Sequence, residues 1–296
     1  MEKREYIIFS DLSVDLAPSF AQKHDIRLIP MNYTIGEEER ICRNIEQEAV
    51  LKRFYEAQRR GEATQTTQIS PDKYIEVFAP LLQEGKAILY LSLSSGLSST
   101  YQSSVIAAKA LAEQYPGTEV VCVDSLAATG GMGLLLEAAA QNRDNGMSLR
   151  ENAAWLEQNR LRVCHWFMVE DLMYLKRGGR IPASTAIVGT AFNIKPILKI
   201  ENDGTLETFE KKRGVKAALK ELVDLYAASS EGGEGERVYI LHADSDVNAD
   251  YLEIAVKAVN PKCSIERRML SPVIGAHTGP GMCAIAHFGK RNGGQK

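Results

Sequence analysis

The chain has 296 residues, of which 45% are hydrophobic and 25% charged, and its net charge at pH 7 is −3. These values are typical of a globular protein near the size at which one core divides into two domains, and they exclude bulk attraction to nucleic acid or to an anionic membrane. No apolar run approaches the ~18–20 residues of a membrane span. The start of the chain lacks the apolar stretch of a signal peptide, and the five cysteines are scattered without a C-x-x-C pair, so we expect a protein of the reducing cytoplasm.

The first half of the chain alternates short apolar strand patterns with amphipathic helix patterns. The predicted strands are Tyr6–Phe9, Ile26–Tyr33, Ala87–Leu91 and Val120–Val123. The predicted helices are Leu16–Lys23, Ile45–Gln58, Tyr74–Leu82, Ser103–Gln114, Leu134–Arg143 and Leu149–Arg160. This order predicts a mostly parallel sheet with helices on both faces.

The second half has a different pattern. The predicted strands are Val163–Val169, Pro196–Glu201, Thr205–Lys211, Val238–His242 and Ile265–Leu270, and the predicted helices are Lys216–Ala227 and Ala249–Ala258. Asn202-Asp203-Gly204 is typical of a hairpin turn between two of these strands. We therefore expect a second, α+β domain with a mixed or antiparallel sheet and helices on one side, beginning near residues 160–170.

Hydroxyl side chains are concentrated at two places in the first half. Ser94 and Ser95 begin a run of small hydroxyl residues, 94–103, that follows the predicted strand Ala87–Leu91 and leads into a helix. In open α/β sheets ligands lie at the carboxyl ends of strands, where hydroxyls, backbone N–H groups and a helix N-terminus converge on an anion or a carbonyl. The alternative is a serine-rich N-cap that only satisfies the helix.

The second cluster, residues 64–71, precedes a predicted helix, with Ser70 as its N-cap and Pro71 at its first position. Capping needs one hydroxyl, so Thr64, Thr66 and Thr67 are not needed for it. Two hydroxyl clusters in one α/β half predict a pocket lined by neutral hydrogen-bond donors.

The sequence lacks the motifs of several enzyme classes. It has no P-loop, no G-x-G-x-x-G, no G-x-S-x-G nucleophile elbow and no H-x-x-x-H pair.

His277 lies in a stretch of three glycines and one proline, which predicts a tight loop that lets the backbone approach a ligand. The alternative is a glycine-rich turn before the strand Met282–Phe288. The segment Tyr174–Pro182 combines a double-glycine turn with three cations and is either a phosphate or partner contact or a solvated turn. Asp11 and Ser13 are expected to cap the helix that follows the first strand.

Seven segments, in this order and across nearly the whole chain, resemble one known family. They are SDLSVDL (10–16), TTQIS (66–70), SSGLSSTYQS (94–103), VDS (123–125), LKRGGRI (175–181), NIKPIL (193–198) and HTGPG (277–281). Together they are similar to the DegV family, whose characterised members are the fatty-acid-binding subunits of bacterial fatty acid kinase. The chain departs from the family pattern at Thr67, where serine is common, and at Ile69, where proline is common.

The resemblance implies an α/β protein with two domains and a long-chain fatty acid held between them. The first is a three-layer α/β/α domain with a parallel sheet (1–165), and the second is a two-layer α/β domain with a mixed sheet (166–296). It implies a carrier with no catalytic residues, metal or cofactor of its own, which presents the fatty acid carboxylate to a separate ATP-dependent fatty acid kinase for phosphorylation to acyl-phosphate. It also implies transient contact with a membrane for lipid exchange, and no nucleic-acid partner.

Carried over by position, the resemblance assigns residues to three roles. The carboxylate contacts are Thr66, Thr67, Ser94, Ser95 and His277. The acyl-chain contacts are Ile187, Val188, Phe192 and Ile194, and the kinase contact is Arg213.

Two other functions stay open at this stage. The first is a stand-alone enzyme related to the substrate subunits of dihydroxyacetone kinases, in which His277 anchors a small ketone; it predicts a small polar pocket. The second is a general lipid-binding or regulatory module without a kinase partner, in which a change at Arg213 leaves acyl-phosphate production unaffected.

Overall fold

The computed structural model describes residues 6–43, 47–184 and 193–291. In chain order its strands are β1 (Tyr6–Asp11), β2 (Ile26–Ile29), β3 (Met31–Ile35), β4 (Glu38–Cys42), β5 (Thr64–Thr67), β6 (Ala87–Ser92), β7 (Val120–Asp124), β8 (Val163–Met168), β9 (Ile194–Ile200), β10 (Leu206–Arg213), β11 (Arg237–His242), β12 (Ser264–Met269) and β13 (Cys283–Phe288). Its α-helices are α1 (Pro18–Lys23), α2 (Glu48–Arg59), α3 (Pro71–Gln83), α4 (Thr100–Gln114), α5 (Thr129–Asp144), α6 (Leu149–Asn159), α7 (Met173–Arg177), α8 (Val215–Ser229), α9 (Asp246–Val259) and α10 (Pro272–Thr278). Within these three ranges no helix has both the length and the hydropathy needed to cross a bilayer.

Four parallel strands form the sheet of the N-terminal half, in the spatial order β2-β1-β6-β7. In β6 every residue from Ile88 to Ser92 is buried, which is typical of a strand covered on both faces. α3 packs on α4 and α5 packs on α6, while α4 and α6 both contact β7. The predicted three-layer α/β/α arrangement with a parallel sheet is confirmed.

The second half forms a six-stranded sheet in the order β10-β9-β8-β13-β11-β12, in which β11 and β12 are parallel and the other neighbours are antiparallel. Helices α8 and α9 cover one face, over a core that includes Trp166, Leu222 and Ile285. α5 packs against the same sheet through β8, β11 and β13. The predicted mixed sheet is confirmed. The expected domain boundary between residues 165 and 166 falls inside β8. The strands of the six-stranded sheet begin before it, at Val163.

Strands β3, β4 and β5 form a third, antiparallel sheet in the order β4-β3-β5. The sequence pattern predicts a strand over Ile26–Tyr33 that is broken by Pro30, and the structure has β2 and β3 on either side of this proline, which lacks the N–H that a continuing ladder requires. The threonine cluster is itself a strand, β5, which the sequence analysis does not predict. Thr66 pairs with Tyr33 and Thr67 with Asn32, so the two threonines project to opposite sides of this small sheet.

The segment around His277 is a helix, α10, and not the predicted loop. Pro272 begins the helix, and Gly275 lets it approach α2, since a Cβ there would overlap the Tyr55 hydroxyl. Gly279 ends it with a φ of +74°, a conformation that favours glycine. The glycines of this motif therefore serve close packing and a helix end, and α10 lies against β5.

Candidate functional site

A largely apolar cavity is bounded by both halves of the chain. The space between the wall atoms is about 800 Å³, a figure that includes the opening to solvent. Its apolar wall includes Leu93, Leu97 and Ala128 from the N-terminal half and Phe167, Ile200, Leu206, Leu241 and Ala284 from the six-stranded sheet. Neither half alone encloses the cavity, so its shape depends on how the two sheets pack.

One end of the cavity is polar. Thr66 Oγ1 on β5 and His277 Nε2 on α10 lie 2.7 Å apart. Two polar recesses adjoin the cavity at this end, and both share Thr66 and Arg180 with it. The cavity therefore has an apolar body and a polar end that continues into recesses open to solvent.

His277 is held neutral at this end. Burial, followed by the charge of the nearby Arg180 guanidinium, lowers the pKa of its imidazole to about 3. The imidazole packs against Gly178, where a Cβ would overlap Nδ1, and Nδ1 is buried with no hydrogen-bond partner among the described residues. At pH 7 His277 therefore contributes a neutral hydrogen-bonding group to the site, and Arg180 contributes the positive charge.

Arg180 is the residue that the sequence analysis left undecided, as part of a double-glycine turn with three cations. Its Nε donates to the Leu97 carbonyl at 3.1 Å and its Nη1 donates to the Gly178 carbonyl. No carboxylate of the described residues lies within ion-pair distance of it, and burial lowers the pKa of its guanidinium. A half-buried cation whose hydrogen bonds within the described ranges all go to carbonyls is electrostatically suited to an anion in the adjoining cavity.

The sequence-predicted carboxylate residues do not all meet. Thr66 and His277 are in contact, whereas Thr67 is exposed on the other side of β5 and lines one of the recesses together with Ser95. Ser98, which was not predicted as a contact, lines the cavity itself.

Ser94 is turned away from the cavity. Its buried hydroxyl donates to the Gly204 carbonyl at 2.8 Å and accepts from the Gly96 N–H at 3.2 Å. Gly204 lies in the hairpin between β9 and β10, so this bond joins the serine loop to the second half of the chain. Sequence spacing placed Ser94 at the end of β6 correctly, but it carries no information about this distant partner.

The prediction that Asp11 and Ser13 cap the first helix is wrong. The carboxylates at the strand ends accept hydrogen bonds from neighbouring strands and loops. No side chain caps α1. The Asp11 carboxylate instead accepts from the Leu93 N–H at 3.2 Å and from the Tyr90 hydroxyl at 2.8 Å. Asp124 accepts from the Ser95 N–H at 3.1 Å. Within the described ranges no group of three or more His, Cys, Asp or Glu side chains could hold a metal ion.

Of the expected acyl-chain contacts, Ile187, Val188 and Phe192 lie outside the described residues. Ile194 is half-buried at the start of β9, pairs with Arg213, and does not belong to the cavity wall described above. Arg213, the expected kinase contact, is exposed at the end of the edge strand β10.

Comparison with known proteins identifies the family. A family model described as "Uncharacterised protein, DegV family" matches residues 6–290. A DegV domain-containing protein of Clostridium perfringens is 36% identical over 97% of this chain and 98% of its own length. A DegV family protein from Thermus thermophilus, whose structure is described for fatty acid binding, has a TM-score of 0.85 at 29% identity and covers 96% of this chain and 99% of its own. DegV of Bacillus subtilis, described as a fatty acid binding protein, has a TM-score of 0.83 at 27% identity over 97% of this chain and 100% of its own. The chain therefore belongs to the DegV family.

Proposed function

We propose that this DegV-family chain binds a long-chain fatty acid between its two halves, with the acyl chain in the apolar cavity and the carboxylate at Thr66, His277 and Arg180. The observation that carries the proposal is the division of the cavity into a largely apolar body and a polar end that contains a cation without an acidic partner among the described residues. The fatty acid binding described for the relatives from T. thermophilus and B. subtilis supports it.

The proposed carboxylate site follows from the hydrogen bonding of His277. When its Nε2–H donates to Thr66 Oγ1, the Thr66 hydroxyl donates in turn to a carboxylate oxygen. In the opposite tautomer the Thr66 hydroxyl donates to Nε2 and has no proton left for the carboxylate, so a bound carboxylate favours the first arrangement. Hydrogen bonds to a charged group contribute about 1.5–3 kcal/mol each, and Arg180 adds charge complementarity.

The apolar body of the cavity favours a lipid over a small polar substrate. Burial of an acyl chain contributes about 0.8 kcal/mol per CH₂. Leu206, Leu241 and Ala284 in the cavity wall offer no hydrogen bonds from their side chains. A small ketone, as in the dihydroxyacetone kinase subunits, would leave this surface unoccupied.

The finer part of the proposal is that the chain presents the carboxylate to a separate fatty acid kinase. The polar end continues into solvent-open recesses lined by Thr66 and Arg180, so a docked protein could reach the carboxylate oxygens there. Arg213, exposed on an edge strand, is proposed as part of the docking surface. The resemblance to kinase-associated DegV proteins supports this role.

The first experiment is mass spectrometry of an organic extract from the purified, folded protein. We expect a stoichiometric long-chain fatty acid. Thr66→Val keeps the shape of the side chain but removes its hydroxyl, and we expect affinity for palmitate or oleate to fall about 10- to 100-fold. Thr67→Val, one residue along β5 but on its exposed side, is the matched comparison and should bind more tightly than Thr66→Val. A clean extract together with no uptake of added palmitate or oleate would reject the proposal.

A second experiment tests the kinase partnership. Arg213→Glu should slow acyl-phosphate formation by a supplied fatty acid kinase while fatty acid binding is retained. Lys109→Glu makes the same change of charge at an exposed position on α4 and serves as the control. Equal rates for the two variants would remove Arg213 from the docking surface and favour a lipid-binding module without this contact.

A further inference from the structure

Helix α9 carries most of the exposed apolar surface of the described residues. Seven large hydrophobic side chains are exposed there, and four of them belong to α9, namely Val247, Tyr251, Ile254 and Val259. Val247 and Ile254 expose 81% and 71% of their surface. Exposed apolar residues that occur singly are ordinary, but several on one element indicate a contact surface.

The spacing of these residues is that of a helix which packs against another helix. Val247, Tyr251, Ile254 and the exposed Ala258 follow one another at intervals of four, three and four residues, which is the spacing of the core positions of a coiled coil. We call these four residues the α9 stripe. The residues on the opposite side of the helix are buried in the core of the second half: Ala249, Leu252 and Val256. The α9 stripe therefore faces outward.

The charges beside the α9 stripe favour a second copy of this chain as the partner. Asp250 and Lys257 lie seven residues apart, each directly beside a residue of the stripe or one turn along from it, and on the same side of the helix. Two antiparallel helices that place Tyr251 of one copy opposite Ile254 of the other also bring Asp250 next to Lys257 of the other copy, because the two pairs have almost the same centre along the helix. Two-fold symmetry makes each of these contacts twice.

Both charged side chains have hydrogen-bonding capacity left for a second copy. The Asp250 side chain is 60% exposed and pairs with Arg267 on β12 through Oδ1, which leaves Oδ2 for a further donor. The Lys257 ammonium donates to the Cys263 carbonyl and has two more N–H groups. The α9 surface is therefore complementary to itself in charge as well as in shape.

We propose that the α9 stripe is the contact surface of a homodimer, in which α9 packs antiparallel against α9 of a second copy and Asp250 of each copy pairs with Lys257 of the other. Helix α9 has 14 residues and is about 21 Å long. A contact of one such helix from each copy belongs to the small, reversible class of interfaces, so the dimer dissociates on dilution.

The dimer leaves the candidate site outside the contact. On β11, Leu241 lines the cavity while its neighbour Ile240 packs on the opposite face of the sheet, beneath the helices. Arg213 ends β10, at the far edge of this sheet from β11 and β12. The inference is thus independent of the proposed function, and a dimer would carry two separate cavities.

Sedimentation velocity of the full-length protein, from micromolar to millimolar concentration, tests the dimer. We expect the wild type to change from monomer to dimer with a dissociation constant on the order of 100 μM. Ile254→Asp puts a charge into the contact and should weaken association by about tenfold or more. Ile106→Asp makes the same change at an isoleucine of α4 that is 57% exposed and should associate like the wild type. A wild type that stays monomeric throughout, or equal association of the two variants, overturns the proposal.

Charge reversal tests the antiparallel pairing. Asp250→Lys and Lys257→Asp each place like charges opposite each other and should each weaken association, whereas the double variant restores opposite charges and should recover it. Loss of the ion pair with Arg267 cannot explain a recovery, since Arg267 is unchanged. A double variant that associates no better than the single variants overturns the pairing. A monomeric wild type that binds phosphatidylglycerol vesicles, with binding lost in Ile254→Asp, overturns the homodimer in favour of a lipid surface.

Discussion

Asp15 follows β1 and is almost wholly buried, with 4% of its surface exposed. One oxygen accepts from the Ser271 N–H at 2.8 Å, at the start of the helix that carries His277. The other oxygen, Oδ2, has no hydrogen-bond partner among the described residues. Burial raises the pKa of the carboxyl from 3.8 to about 7, although the Arg268 charge and the hydroxyls of Ser271 and Thr129 act in the opposite direction.

The raised pKa makes stability depend on pH in a direction that differs from most carboxylates. Between about pH 4 and pH 7 the folded protein keeps a proton on Asp15 that the unfolded chain has lost, so this group's contribution to the free energy of unfolding falls as the pH rises. The difference between 3.8 and about 7 corresponds to about 4 kcal/mol in all, of which about 3 kcal/mol is lost between pH 5 and pH 8. Asp15→Asn should remove this dependence.

The assay is urea denaturation of the wild type and Asp15→Asn at pH 5 and at pH 8. We expect the wild type to lose about 3 kcal/mol relative to the variant on going to pH 8. Asp72→Asn, at an exposed position in the first turn of α3, makes the same change of charge and should track the wild type. If the difference between wild type and Asp15→Asn were the same at both pH values, Asp15 would be titrating at its ordinary pKa in the folded state, and the reasoning from burial would fail.

Three further substitutions test contacts around the cavity by urea denaturation. Ser94→Ala should lower the free energy of unfolding by about 1–3 kcal/mol, because the Gly204 carbonyl loses a buried donor. Weaker fatty acid binding at unchanged stability would instead indicate that Ser94 contacts the carboxylate. Gly204→Ala should cost more, since its φ is +82° and a Cβ would overlap the Ser94 hydroxyl, and part of that cost should disappear in the Ser94→Ala background. Gly131→Ala should destabilise by about 1–3 kcal/mol through its collision with His165; the stabilisation that alanine usually brings to a helix would contradict the observed packing.

Much of the fold and part of the site could be predicted from local patterns. The order of strands and helices indicates the parallel and mixed sheets, and the cap of α3 is as expected, with Ser70 accepting from the Lys73 N–H at 3.3 Å. The prediction of secondary structure fails where the local sequence pattern is typical of a different element from the one that forms. β5 consists of threonines and one glutamine without hydrophobic alternation. The glycines of the His277 motif resemble a loop, because the packing of Gly275 against Tyr55 is invisible in the sequence.

The sequence by itself determined most of the strands and helices, the parallel and mixed sheets and the family, because capping, apolar periodicity and motif order depend on residues that are close together in the chain. Only the tertiary structure decided the site. It joins Thr66 to His277, 211 residues apart, turns Ser94 to a partner 110 residues away, and leaves Arg180 facing a cavity bounded by both halves. The physical reason is that the site depends on long-range packing and on the burial of charged and hydrogen-bonding groups. Both arise only when the two sheets pack together.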